Sequence, residues 1–150
     1  MVDQLLLPFL NFLENSACAV GIRQSMWLYP LLEIIHILGI VILVGGALFF
    51  DFHLLGYVKG LTMSGLSAYL LPLSRKGLLL VIPSGILLFI TNAKSLGVDP
   101  TFWIKMMLLL LAALNAFVFH RFNLLPVRLT AVVSIIAWIA IIACGRLLAY

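Results

Sequence analysis

His36 is the residue of this chain best suited to chemistry, because it stands in a long apolar run that contains only one other charged or imidazole side chain, Glu33. An ionisable side chain in hydrocarbon costs about 2.5 to 3.5 kcal/mol on insertion scales, so it needs a partner or a function. An imidazole at such a position hydrogen-bonds a carbonyl of a neighbouring helix, ligates a haem or metal ion, or relays protons. Ligation of a haem or metal ion, or proton relay, is favoured over simple hydrogen bonding.

Two cations are predicted at a similar depth to His36. Lys105 lies near the start of a later apolar run, and Arg146 lies near the end of the last one. If successive helices alternate in direction, both fall in the same half of the membrane as His36, which lies roughly 13 Å below the start of its own helix. Cations at an aqueous rim are suited to the carboxylates of haem propionates. If a haem binds at His36, Lys105 and Arg146 are therefore the expected partners of its propionates, and Glu33 lies one helical turn from His36 in the same site.

A second group of polar residues is predicted at the opposite end of the same helices. Asp51 and His53 close the first apolar run, and His120 closes a later one. They are interpreted either as interfacial residues at helix ends or as secondary candidates for the site. His36 and His120 differ by roughly 13 Å in predicted depth, which is too far for the two axial ligands of one haem. The second axial position is therefore predicted to be open, or filled by Met106 or another group.

The composition defines the medium in which these residues act. Of 150 residues, 65% are hydrophobic and 9% are charged, and the mean hydropathy is +1.25. Nine Lys and Arg with five Asp and Glu cannot cover the surface of a water-soluble fold of this length. This excludes a secreted disulfide scaffold, a soluble nucleotide-binding enzyme and a disordered regulator. The net charge of +4 comes from cations scattered between apolar runs, which predicts loop charges and no nucleic-acid partner.

Four runs are long and apolar enough to cross a bilayer, for which a helix needs about 20 residues. They must be helices, because an open strand cannot satisfy its backbone in lipid. The preceding apolar segment is too short to span and is predicted to lie in the membrane interface. The fold class is thus all-α: a polytopic membrane protein in which residues 1–150 form one domain, a four-transmembrane-helix bundle with an N-terminal interfacial helix. The interfacial segment is predicted at about 4–24 and the spans at about 27–50, 69–92, 102–121 and 127–149.

Gly39 and Gly46 are seven residues apart and fall on one stripe of the first predicted span. Small residues allow another helix, or a flat macrocycle, to approach closely. Helix packing is the commoner of these two roles.

The basic residues between the spans predict an orientation. Cytoplasmic loops carry the excess of Lys and Arg. One side of the membrane has Lys59, Arg75, Lys76, Arg121 and Arg128, and the other has Arg23, Lys94, Lys105 and Arg146. The first side is therefore predicted to be cytoplasmic, with both termini on the outer side of a bacterial inner membrane.

Three strings stand at or near the ends of the predicted spans: WLYP at 27–30, DFHLLG at 51–56 and GRLLAY at 145–150. Together with His36 and Lys105 they resemble a bacterial family of small four-helix membrane proteins of unknown function, over nearly the whole chain from Trp27. That family commonly has Arg at the position of His53. The layout is more distantly similar to the HemJ-type protoporphyrinogen oxidases and the CopD-type copper proteins. The HemJ-type similarity implies that His36 takes part in haem b binding and that Lys105 matters for activity.

Two classes of function follow. The first is an integral membrane b-type haem protein, an oxidoreductase that transfers electrons or oxidises a porphyrin-like or quinone-like substrate. The alternative is a non-catalytic accessory subunit, whose partners are the other subunits of a respiratory or transport complex. A copper or ion path is weaker, because the spans offer neither a Met-x-x-Met motif nor a Cys pair. In every case the lipid bilayer is the first partner.

Overall fold

The computed structural model describes residues 2–122 and 126–148 of the chain. Seven α-helices and no strand are present in these two ranges. They are α1 (Val2–Glu14), α2 (Ala17–Gln24), α3 (Leu28–Leu54), α4 (Met63–Thr91), α5 (Ala93–Val98), α6 (Pro100–Phe122) and α7 (Val127–Leu147). Four of them, α3, α4, α6 and α7, are long and apolar enough to cross a membrane. The prediction of an all-α, multi-pass membrane fold with four spans is confirmed.

The first two spans are longer than the sequence predicts. Helix α3 continues to Leu54, past Asp51, and α4 begins at Met63 rather than near 69. The early start of α4 has a local cause, since the hydroxyl of Thr62 accepts a hydrogen bond of 3.2 Å from the backbone N–H of Gly65 and so caps the helix. At the other end of the chain α7 ends at Leu147, and the predicted final position, 149, lies outside the described residues.

The N-terminal segment forms two helices where the sequence predicts one. Its break falls at Asn15 and Ser16, and the hydroxyl of Ser16 accepts a hydrogen bond of 3.3 Å from the N–H of Ala19 to start α2. A further short helix, α5, was not predicted. The three short helices α1, α2 and α5 gather where α3 and α6 begin, and we call this the N-terminal end of the bundle.

Polar contacts hold the short helices to that end. The guanidinium of Arg23 donates to the carbonyl oxygens of Thr91 at 2.9 Å and of Glu14 at 2.6 Å. The carboxylate of Glu14 in turn accepts from the backbone N–H of Lys94 at 2.8 Å. Arg23 therefore links the N-terminal segment to the end of α4.

The spans pack in the order α4, α3, α7, α6. Helix α3 lies along α4, α7 lies along α6, and α7 also touches α3. In the described ranges no Cα atom of α4 comes within 8 Å of a Cα atom of α6. A stacked aromatic pair joins these two helices instead, Phe89 and Phe102, whose ring centroids are 5.0 Å apart. We call this side of the bundle the α4–α6 seam.

Glycines set the close approach of α3 and α4. A Cβ atom added at Gly77 would lie 2.7 Å from the backbone nitrogen of Leu43 and 2.9 Å from the carbonyl oxygen of Gly39. Real Cβ atoms do not approach backbone so closely, so only glycine fits there. Gly39 thus has the packing role that its stripe predicts.

Large apolar side chains are exposed along the outer faces of all four spans. Representative exposed fractions are 62% for Val41, 73% for Leu79, 55% for Leu111 and 61% for Ile136. In water such surfaces would be unfavourable, whereas in a bilayer they contact lipid chains. The core is correspondingly small and includes Ala112, Ala137 and Ile141 between α6 and α7.

Candidate functional site

The ring of His36 lies half-buried against α4. Its Nδ1 atom is 2.9 Å from the Oγ atom of Ser84. The Ser84 hydroxyl lies 2.5 Å from the carbonyl oxygen of Leu80 and 3.3 Å from that of Val81, which also interacts with the His36 ring. When the hydroxyl donates its single hydrogen to Leu80, its oxygen accepts from Nδ1–H of His36. In that tautomer the lone pair that can ligate a metal belongs to Nε2.

Gly85 provides the space for this ring. A Cβ atom at Gly85 would lie 3.0 Å from Cε1 of His36 and 3.6 Å from Nδ1. The His36 ring therefore packs against helix backbone rather than against a side chain. Neither Ser84 nor Gly85 was predicted as a site residue from the sequence. A serine inside an apolar span nevertheless indicates that a polar partner is near.

Lys105 carries its charge into the same part of the bundle. Its side chain is half-buried, and a Cβ atom at Gly145 of α7 would lie 3.7 Å from its Nζ atom. The ammonium group is also within electrostatic range of the His36 ring and of Cys144. The structure therefore brings Lys105 of α6 and His36 of α3 to one interior region.

The other residues predicted around His36 are placed differently. Glu33 is exposed and makes no hydrogen bond or ion pair within the described part of the chain, and its charge acts on Tyr29. Arg146 is exposed and directly follows Gly145, near the end of α7. Met106 is half-buried and adjacent to Lys105, about 100° away around α6. Of the predicted set, Lys105 is the residue whose charge acts on the ring of His36.

At the opposite end of the spans Asp51 is buried, with 6% of its surface exposed. Helix α3 continues beyond this residue to Leu54, and α7 packs beside α3. Asp51 and His120 both line a partly open cavity of about 170 Å³ between α3, α4, α6 and α7. We call this the cavity end of the bundle. His36 does not line this cavity.

The two histidines of the cavity end make local contacts. Nδ1 of His53 is 3.0 Å from the carbonyl oxygen of Val58 and closes the turn that follows α3. Nδ1 of His120 is 2.8 Å from the carbonyl oxygen of Ala116, in its own helix, and its ring stacks on Phe50 with centroids 6.0 Å apart. Neither histidine is near His36, in agreement with the predicted difference in depth.

Four further polar residues, none of them predicted as site residues, also line the cavity: Ser74, Asn115, Thr130 and Ser134. The side-chain amide of Asn115 donates to the carbonyl oxygen of Thr130 at 3.1 Å, which ties α6 to α7. The signal that could have found them is the occurrence of amide and hydroxyl groups inside apolar spans.

The donor set indicates what kind of metal centre the chain can form. The described residues contain no group of three or more His, Cys, Asp and Glu side chains that could hold a bare metal ion. A porphyrin supplies four nitrogen ligands itself, so a single histidine is enough to hold a haem. His36 fits such a role, with Nδ1 anchored and Nε2 left for the iron.

Comparison of the chain with protein-family models, with curated proteins and with solved structures gives no match. The function of these residues must therefore be inferred from their own geometry and chemistry.

Proposed function

We propose that this chain is an integral membrane b-type haem protein in which Nε2 of His36 would bind the haem iron. The observation that carries the proposal is the hydrogen-bond chain from Nδ1 of His36 to Ser84 and on to Leu80. Histidines that ligate metals almost always donate their second ring N–H to a fixed acceptor, which sets the tautomer and raises the basicity of the ligating nitrogen. His36 already has this arrangement.

Lys105 supports the same proposal. A haem carries two propionate carboxylates, and a cation that is partly shielded from water binds a carboxylate more strongly than an exposed one does. Lys105 is half-buried and its charge acts on the His36 ring, and its ammonium group lies beside Gly145 of α7. Arg146 is the second cation at that end of the spans, whereas the exposed Glu33 has no part in the proposal.

The α4–α6 seam is where the proposal places the haem. The cavity lined by Asp51 is not lined by His36 and has a volume of about 170 Å³, too small for a porphyrin. At the seam, α4 and α6 are joined through the side chains of Phe89 and Phe102 and not through close backbone packing. Aromatic rings in such a position suit a flat conjugated ligand, which stacks on them.

Haem b supplies a one-electron couple when bound. In the proposal the residues of this chain bind and orient the group: His36 ligates, Ser84 holds the ring of His36, and Lys105 neutralises a carboxylate. A quinone-like or porphyrin-like substrate, or another subunit of a membrane complex, would exchange the electron. The proposed location is a bacterial inner membrane with both termini outside.

The absorption spectrum of detergent-extracted protein, from cells supplied with a haem precursor, tests the proposal. We expect a Soret band in the unmodified protein and its loss in His36→Ala. His120→Ala is the matched control and should keep the band, because His120 is exposed at the other end of the spans. Absence of the band from the unmodified protein, or its persistence in His36→Ala, would refute haem ligation by His36 and leave the accessory-subunit function in its place.

A further inference from the structure

The cavity at the cavity end contains a buried carboxylate without a complete set of partners. Asp51 is 6% exposed, and its Oδ2 atom has no hydrogen-bond partner among the described residues. The hydroxyl of Ser134 lies beside the carboxylate and interacts with it. The ion pair that the structure describes, between Arg23 and Glu14, is at the N-terminal end and cannot compensate Asp51.

A carboxylate in this position needs a counter-ion or a proton. Burial of an unpaired charge in apolar surroundings is costly, and ionisable residues inside membrane proteins commonly act as counter-ions for ligands. Asp51 lines a cavity large enough to admit a ligand, and one of its two carboxylate oxygens has no partner among the described residues. The missing partner of Asp51 is therefore expected to come from outside the chain.

The cavity favours an organic ligand over a metal ion. Its volume of about 170 Å³ is similar to that of engineered apolar cavities of about 150 Å³ that bind benzene. The rings of Phe50, Phe119 and Trp138 line it together with aliphatic side chains, and aromatic rings attract organic cations as well as apolar groups. A bare metal ion would need several more charged or oxygen ligands than this lining provides.

We propose that this cavity binds a small lipophilic organic cation, a primary ammonium group on an apolar body about the size of one aromatic ring, with Asp51 as its counter-ion. The ammonium donates to the carboxylate of Asp51, and the side chains of Asn115 and Ser134 lie in the same cavity to receive its remaining hydrogens. A monocation neutralises a single carboxylate, so the occupied site carries no net charge into the membrane. This site is independent of the proposed haem site at His36.

The fluorescence of Trp138 tests the proposal in the full chain, with Trp27→Phe and Trp103→Phe introduced so that a single tryptophan remains. The probes are benzylammonium, benzyl alcohol and benzoate, which share a ring and differ in charge. We expect a saturable change with benzylammonium, and at least a tenfold weaker response to the other two. Asp51→Asn should weaken benzylammonium binding at least tenfold and leave benzyl alcohol unchanged.

Two further variants keep the test decisive. Asp99→Asn makes the same chemical change at the start of α6, at the opposite end of the spans, and should leave benzylammonium binding unaltered. Ala47 lines the cavity, so the larger side chain of Ala47→Leu fills part of the cavity and leaves Asp51 in place. This variant should abolish the response to every probe. Equal affinity of the unmodified protein for benzylammonium and benzyl alcohol, or unchanged binding of benzylammonium in Asp51→Asn or Ala47→Leu, would overturn the proposal.

Discussion

His36 and Ser84 are joined by a hydrogen bond of 2.9 Å across the interface between α3 and α4. The sequence predicts His36 as a site residue but does not predict Ser84. The hydroxyl of Ser84 is in turn within hydrogen-bond distance of the carbonyl oxygen of Leu80. When the serine hydrogen goes to Leu80, His36 donates to Ser84 through Nδ1. This arrangement leaves Nε2 of His36 available to a ligand.

Replacement of Ser84 by Ala should release the His36 ring from this constraint. Nitrogen NMR of labelled imidazole is expected to show one dominant tautomer in the unmodified protein and a mixture in Ser84→Ala. Haem affinity should fall by about 10- to 100-fold, the usual effect of losing the partner of a histidine ligand. Ser67→Ala is the control, since Ser67 bonds only within α4, to the carbonyl of Ser64 at 3.1 Å. An unchanged tautomer in Ser84→Ala would contradict the assigned direction of the bond.

Removal of the charge of Lys105 should have opposite effects on the empty and the haem-loaded protein. Lys105→Met relieves the cost of a half-buried ammonium group, so thermal unfolding in detergent should show the empty protein stabilised by roughly 1 to 3 kcal/mol. The same variant should lose haem faster, because a propionate partner is gone, while Lys105→Arg should retain most of it. Equal haem loss rates in the Met and Arg variants would argue against a carboxylate partner for this residue.

Substitution of Gly77 by Ala should separate α3 from α4. The added methyl group would meet the backbone of Leu43 at 2.7 Å, so we expect a loss of about 1 to 3 kcal/mol in unfolding free energy. Gly45→Ala provides the comparison, because a Cβ atom there has nothing within 4 Å. Similar unfolding midpoints for the two variants in one detergent would show that the close approach at Gly77 is not important for stability.

Loss of the Arg23 contacts should loosen the N-terminal end alone. In Arg23→Gln the carbonyl oxygens of Thr91 and Glu14 lose their shared donor. We expect faster hydrogen exchange of the amides in α1 and α2, with no change in α6 and α7. Arg121→Gln makes the same replacement at an exposed position of the other end and should leave α1 and α2 protected. Faster exchange throughout the bundle in Arg23→Gln would instead indicate a global role.

The sequence by itself determined the medium, the fold class and the number of spans. Span length and hydropathy are local properties, and a chain with 65% hydrophobic residues leaves few alternatives. The boundaries were less predictable, because caps such as Thr62 and Ser16 act through single hydrogen bonds. The special position of His36 was also evident from sequence, since an imidazole in an apolar run stands out wherever its helix is placed.

Only the tertiary structure decided which polar groups meet. Apolar residues occupy every face of these spans, so the sequence does not fix how each helix is rotated about its axis. That rotation pairs His36 with Ser84, turns Lys105 inward and leaves Glu33 exposed. The packing of α7 beside α3 likewise buries Asp51, which the sequence alone had placed at the membrane boundary. Contacts between helices that are distant in sequence arise from this packing. The hydropathy of a single helix does not predict them.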